Sequence, residues 1–467
     1  MRLNRYFGDR HFYKMALTVA LPIMIQNGIT NFVGMLDNIM VGRVGTVEMT
    51  GVSIANTLIF IFNLAIFGAV SGAGIFGAQF YGKGDQDGVR YCFRFKVLIC
   101  LVLTALGCGV FLRFGPDLLR LYLKGEGDLT DIQGSLEHGF RYLKLMLLGF
   151  PAFVLANCYA GTLRETGRTV LPMGAGIAAV VVNFVCNYAL IFGKLCMPRL
   201  GSDGAAIATV VSRYVELIIV AGLTHLHPER SPFIRGAYRS LRIPGRLAGQ
   251  IAKKGMPLIL NETLWALGQA LLLQCYSIRA YDVVSAANIS FTLGNVCNIA
   301  FLAMGNAIGI IVGQLLGAGK IEEAKDTDRK LIVFSELTCL LFGGIMIAAA
   351  WAFPQIYNTT DQVRRLATSF ILISACLMPV NSYSNAAYFT LRSGGKTFVT
   401  FLFDSVFACL VVAPVAYVLS RFTSMPIVLL YLCCQSMELL KCVVGYLMIR
   451  SGVWIQNIVK EDNYHEA

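Results

Sequence analysis

Two carboxylic acids stand in this sequence where carboxylic acids are costly. Asp37 lies in the apolar run Phe32-Val33-Gly34-Met35-Leu36-Asp37-Asn38-Ile39-Met40. Glu262 lies between Asn261 and Thr263, less than two turns after Pro257. A charged side chain at the centre of a membrane helix costs about 2.5–3.5 kcal/mol, so it marks function by default. Such a carboxyl can take up and release protons; ionised, it can ligate Na⁺ or attract an organic cation. The plainer readings are a solvated or Arg43-paired carboxylate at a helix end for Asp37, and a glutamate at the start of a helix for Glu262.

Amides accompany both acids. Gln26, Asn27 and Asn31 precede Asp37, and Gln269 and Gln274 follow Glu262. Asn183 and Asn187 are four apart, as are Asn381 and Asn385, which places each pair on one helix face. Asn183 and Asn187 are candidate ion-site residues. Gln26, Asn31, Asn157, Gln269, Asn381 and Asn385 are candidate polar contacts for a substrate. Interhelical hydrogen bonding is the competing reading for all of them. Pro22 cannot donate to Thr18 and crowds the preceding turn, so it marks a candidate hinge, or a fixed kink, below Asp37. Arg213 with Glu216, and Glu438 with Lys441, are spaced as ion pairs on one helix. Glu336 and Asp404 have no such neighbour.

The elements that must position these residues are membrane helices. Of the 467 residues 56% are hydrophobic and only 14% charged, against about 25% charged in soluble domains. The apolar residues come in runs long enough to cross a bilayer as helices. A barrel would instead show short alternating segments. Spans are expected near 14–42, 50–78, 93–113, 138–160, 170–193, 204–225, 255–278, 285–312, 331–352, 364–390, 398–420 and 427–449. The first apolar stretch follows a basic start and is of spanning length, so it reads as a retained helix rather than a cleaved signal. With both termini in the cytoplasm, Lys and Arg concentrate on the inner side. The largest cluster, Arg230 to Lys254, reads as a topology anchor or a surface-lying segment on anionic lipid. The net charge of +12 is explained the same way, without nucleic acid.

The chain repeats itself. Shifting the segment after Pro22 onto the segment after Pro257 matches Asn63 with Asn298, Gly74-Ile75 with Gly309-Ile310, Gln79 with Gln314, Gly82 with Gly317 and Gly84 with Gly319. A second match aligns Pro151 with Pro379, Asn157 with Asn385, Thr162-Leu163-Arg164 with Thr390-Leu391-Arg392, and Gly167 with Gly395. The expected organisation is therefore 1–228 as an N-terminal six-helix bundle, 229–254 as a basic cytoplasmic linker and 255–467 as a C-terminal six-helix bundle. Six is even, so the repeats are parallel, as in transporters that bind substrate between two halves. Under the same shift Glu262 meets Asn27 and Asp37 meets Leu272, so the two acids sit at different depths.

Other chemistries find little support. Ser393-Gly394-Gly395-Lys396-Thr397 resembles the end of a phosphate-binding loop, but Thr390 stands where that motif needs glycine. The 14 cysteines have no zinc spacing and read as small apolar residues. No histidine cluster or nucleophile motif lies within the spans, so an enzyme is not expected. No cofactor is expected either.

Ala20-Leu21-Pro22 followed by Asp37-Asn38-Ile39-Met40-Val41-Gly42-Arg43-Val44-Gly45 resembles the multidrug and toxic compound extrusion (MATE) family. Gly77-Ala78-Gln79 with Gly82, and Thr162-Leu163-Arg164 with Gly167, add to it. The resemblance spans the chain and implies an all-α, twelve-helix antiporter that exports small organic, often cationic, molecules in exchange for H⁺ or Na⁺. Asp37 and Pro22 match the family's first-helix aspartate and hinge proline. Asn183 and Asn187 resemble the fifth-helix polar pair of the DinF-like branch, with Asn187 where that branch usually has aspartate. Glu262 resembles the seventh-helix glutamate of the NorM-like branch, one turn early, and Asn381 stands at that branch's tenth-helix aspartate. The resemblance implies Na⁺ or H⁺ at Asp37 or Glu262, a monomer, and a plasma-membrane location. A flippase for lipid or polysaccharide precursors is the alternative. It would need basic residues for phosphate, and beyond Arg213 and Lys441 the spans are read as nearly free of them.

Overall fold

The structure, a computed structural model, describes residues 6–42, 45–122, 129–194, 197–278, 281–357 and 359–460. Among the described residues twelve helices are long and apolar enough to cross a membrane. In chain order these are α1 (Arg10–Gly42), α2 (Thr46–Lys83), α3 (Gln86–Tyr122), α4 (Leu129–Glu165), α5 (Val170–Phe192) and α6 (Ser202–Leu226). The second set is α7 (Gly245–Ser277), α8 (Tyr281–Gly317), α9 (Ile321–Ala349) and α10 (Asp361–Ser393), then α11 (Thr397–Phe422) and α12 (Ile427–Ser451). No strand occurs among the described residues. Lipid offers no hydrogen bonds, so each spanning segment must pair its own backbone, and a helix does that locally.

Several helices outrun the bilayer. The 38 residues of α2 make a rod of about 57 Å, nearly twice the ~30 Å hydrocarbon core. Side chains such as Leu106, Leu148, Ile218, Leu341 and Leu410 are each more than 60% exposed. Apolar exposure of that kind suits a lipid-facing surface.

The chain forms two compact units. One holds α7 from Gln250 and α8–α12 together with the chain up to Met24 and the Ala78–Asp85 segment; the other holds Ile25–Gly77 and Gln86–Gly249. The division of α1 thus falls just past the buried Pro22, although the helix runs on without a break. In the first unit Phe370 stacks on Tyr431 at 4.3 Å, and Phe301, Cys339, Met346 and Met378 form a second apolar cluster. In the other, Phe62 stacks on Phe150 at 4.3 Å.

The basic segment is more ordered than a linker. A single 3₁₀ turn at Pro232–Ile234 leads to a chain stretch held by Arg94, which donates to the carbonyls of Ala237 (2.8 Å), Gly236 (2.8 Å) and Arg242 (3.1 Å). α7 begins at Gly245 rather than near 255, because Leu247 and Ile251 lie one turn apart and both bury completely.

The repeated glycines do structural work in the first unit. The last turn of α2 crosses the end of α8 so closely that a Cβ on Gly82 would fall on the Gln314 carbonyl, and one on Gly317 on the Gln79 carbonyl. The contact is reciprocal, as the repeat implies. Gln79 is fully buried. Its amide donates to the carbonyls of Ser393 (2.9 Å) and Gln456 (3.1 Å) and accepts from the Ile458 N–H (2.8 Å). Asn457 donates to the Gly317 carbonyl at 3.2 Å, and Lys83 to the Val459 carbonyl at 3.2 Å. The chain after α12 is thereby strapped across the ends of α2, α8 and α10. Gly394 abuts the Trp454 carbonyl, and Gly395 turns the chain at φ 74° with its carbonyl taken by Lys254. The loop that imitates a phosphate-binding motif is a packed turn.

Gly82→Ala should lower thermal stability in detergent by about 1–3 kcal/mol, because backbone must move to admit the methyl. Gly109→Ala, where a Cβ meets nothing within 4 Å, should be neutral or gain up to ~1 kcal/mol from helix propensity. Equal melting shifts for the two would contradict the close crossing.

Candidate ion and substrate sites

Glu262 lies well inside α7, not at its start, so the helix-start reading does not hold. Its charged neighbours are Arg392 of α10 and Asp404 of α11. Asn261, the preceding residue, is buried and donates to Asp404 Oδ2 at 3.1 Å and to the Tyr388 hydroxyl at 3.4 Å. Ser405 in turn donates to the Asn261 side-chain and backbone oxygens, at 2.8 and 2.6 Å. The backbone of α11 explains this arrangement. It widens into π-helical turns at Leu402–Val406 and Ala408–Val412. Such bulges shift side chains out of α-helical register and recur at functional sites.

Asp404 also finds a base. Lys441 of α12 donates to Asp404 Oδ1 at 2.9 Å and to Glu438 at 3.2 Å. Glu438 accepts a further bond from Ser384 at 3.2 Å. The expected Glu438–Lys441 pair is therefore present, with Asp404 as its third member. Charge counting is informative. With every group ionised, Glu262, Asp404 and Glu438 face Lys441 and Arg392, three negative charges against two positive. One negative charge is left over in a low-dielectric setting, the condition for holding a single cation or proton.

The other unit has its own polar set. Asn187 donates to Asn183 Oδ1 at 3.0 Å, and Asn183 to Thr209 at 3.3 Å. Both asparagines are buried, in a ladder between α5 and α6. Gln26 accepts from Arg164 of α4 at 2.6 Å and packs on Gly176 of α5. Arg213 meets Glu216 at 3.1 Å. The remaining candidates are more scattered. Asn157 donates to the Phe153 carbonyl of its own helix at 2.8 Å. Asn31 and Gln269 are exposed, and Asn381 is half-buried. Asn385 turns an enclosed Oδ1 toward Gly305 of α8. The side chain of Asp37 lies outside the described residues.

Sequence reasoning passed over the most enclosed charge. Lys96 of α3 is fully buried and donates to Glu165 at 2.7 and 2.5 Å and to Thr162 at 3.1 Å. A Cβ on Gly74 or Gly77 would fall on the Glu165 carboxylate, so those glycines form its seat. Arg392 is 7% exposed. The expectation that the spans hold little basic charge beyond Arg213 and Lys441 is corrected: α3, α4 and α10 run past their apolar stretches, and their polar ends pack against neighbouring helices. Thr162 and the paired glycines of the repeat were the available signal.

Lys96→Met should destabilise the protein by roughly 3–5 kcal/mol, because it leaves a buried carboxylate unpaired. Adding Glu165→Gln should recover most of the loss. Denaturant unfolding in detergent checks both; no recovery in the double variant would mean that Lys96 acts through packing alone.

Comparison with known proteins places this geometry. The MatE family profile matches residues 22–189 and 257–418, one match in each repeat. The chain is 24% identical over 455 residues to a protein of Thermotoga maritima named probable multidrug resistance protein NorM, covering 96% of this chain and 94% of that one. It is 26% identical over 409 residues to multidrug resistance protein PmpM of Pseudomonas aeruginosa, covering 86% and 82%. Its fold matches an outward-facing multidrug resistance MATE transporter of the MOP superfamily with a TM-score of 0.84, at 17% identity and 96% and 97% coverage. With the family profile matched in both of its repeated halves, the chain belongs to the MatE family.

Proposed function

We propose that this protein is a secondary multidrug efflux transporter that exchanges small organic, mostly cationic, molecules for H⁺ or Na⁺ across the plasma membrane. The observation that carries the reading is the unbalanced charge set around Glu262. A half-buried excess of one negative charge binds a cation, and the binding changes which helix arrangement is favoured. When a proton or Na⁺ occupies Glu262, Arg392 loses the full charge of its counter-ion, and α7 and α10 are free to shift. In the other unit Asp37, with Gln26 and the Asn183–Asn187 ladder, is the proposed second coupling region. Pro22, beside the point where α1 passes from one unit to the other, is the proposed hinge. The moving bodies are the two compact units, one of Ile25–Gly77 with Gln86–Gly249 and the other of the chain from Gln250 with the start of α1 and the Ala78–Asp85 segment, and both termini face the cytoplasm. Each half works within a single copy of the chain.

Relatives named as multidrug resistance proteins support the substrate class. Nothing favours the flippase alternative. The buried bases that a phosphate would need are already engaged, Lys96 by Glu165 and Lys441 by Asp404 and Glu438.

Everted vesicles containing the protein should accumulate a cationic dye when an outward-directed gradient of H⁺ or Na⁺, lumen high, is imposed. Asp37→Asn should abolish the gradient's effect. Glu262→Gln should weaken it by roughly 5–150-fold, the span of a 1–3 kcal/mol coupling. Failure of any organic cation to move under either gradient would defeat the reading; normal coupling in Asp37→Asn would leave transport standing and remove that residue from it.

A further inference from the structure

Glu336 plays no part in the charge set around Glu262. It stands on α9 six residues past Lys330, where the charged start of the helix has given way to its apolar stretch. Its Oε1 is enclosed, and no hydrogen-bond donor reaches that atom among the described residues. The Ser382 hydroxyl of α10 lies against the carboxyl. Ser382 also shares a 3.1 Å hydrogen bond with Ser335, and both serines are buried.

The contrast with the other enclosed acids is chemical. Glu165 has Lys96, Glu216 has Arg213, Asp203 has Arg141, and Asp404 and Glu438 share Lys441. Glu262 faces Arg392. Asp328 accepts from Thr390 at 2.6 Å and lies near Arg329. The ionisable groups turned toward Glu336 are Cys339 on its own helix, Tyr383 on α10 and Cys442 on α12. Cys297 of α8 packs in the same apolar cluster as Cys339. None of these carries a positive charge, and ionising any of them would add a negative one. A carboxylate with one hydroxyl donor and no counter-ion is poorly solvated. A carboxylic acid is not: its O–H satisfies the enclosed side, and Ser382 serves the other oxygen.

We propose that Glu336, with Ser382 and Ser335, is a second proton-binding site of the unit formed by α7–α12, separate from the set around Glu262. Loading transfers a proton from hydronium to a carboxylate oxygen, forming an O–H bond and leaving water. Unloading is the reverse. The inference rests on the antiport reading for its role in transport, since a second proton per cycle would then be exchanged against substrate. The site itself needs no transport to be detected.

Infrared difference spectroscopy of purified protein through a pH titration reads the site directly. Wild type should show a protonated-carboxyl C=O band that shifts in D₂O and fades as pH rises. Glu336→Gln should lose this band, and Glu262→Gln should keep it. A band unchanged in Glu336→Gln would overturn the proposal. Should Glu336→Gln fail to fold, Ser382→Ala should move the band's frequency by removing its hydrogen bond; an unmoved band there is equally fatal. In proteoliposomes, fewer protons should be released per dye bound in Glu336→Gln than in wild type; an unchanged ratio would remove the site from the transport cycle. If no dye moves under any gradient while the band behaves as expected, the antiport reading fails and the proton site stands.

Discussion

Hydrocarbon cannot hydrogen-bond, so each polar atom drawn into a membrane protein has to be matched by another atom of the chain. That constraint governs this structure more than apolar packing does, because apolar residues gain little by choosing protein over lipid. It accounts for the twelve helices. It also accounts for where the charges lie. Lys96 is buried because Glu165 and Thr162 meet it, and Lys441 because Asp404 and Glu438 do. The glycines at 74 and 77 exist in the same logic, as room for a carboxylate.

The internal repeat shows how one scaffold acquires two chemistries. Arg164 and Arg392 are equivalent, as are Gln26 and Asn261, and Asn27 and Glu262. In one unit the arginine rests on an amide, Gln26. In the other it faces a carboxylate, Glu262. The helix and turn that carry each arginine are duplicated, but the sites differ in side chains and in backbone, because α11 widens into π-helical turns where α5 stays α-helical. A neutral partner holds an arginine in place; an ionisable one makes its environment depend on whether a cation is bound.

Much of the architecture was legible because its signals are local. Long apolar runs mark spans, and a constant shift between Pro22 and Pro257 marks the duplication. The site was legible only in part. Glu438 and Lys441 lie one turn apart and were readable as a pair, but Asp404, their third member, is 37 residues from Lys441 on a helix whose π-helical turns no periodicity announces. Lys96 and Glu165 are 69 apart. Asn31 and Gln269 are exposed, and exposure alone does not tell a cavity wall from an outer face. On a helix that is apolar all round, the sequence has no polar stripe to say which face turns inward. α7 begins early for the converse reason: Leu247 and Ile251 sit among basic residues that mask a short amphipathic turn.

The strap that closes over Gln79 has a consequence for biogenesis. Gln79 must wait for Ile458, 379 positions later in the chain. At synthesis rates of about 5–20 residues per second, that is roughly 20–75 s during which a glutamine destined for full burial has no final partner. Inserting the helices one after another cannot complete this unit. Its ends lock only when the segment after α12 has left the ribosome. A chain interrupted before Gln456 would leave the Gln79 amide and the Gly82–Gly317 crossing uncovered. The last act of assembly in this unit is thus three hydrogen bonds to one side chain.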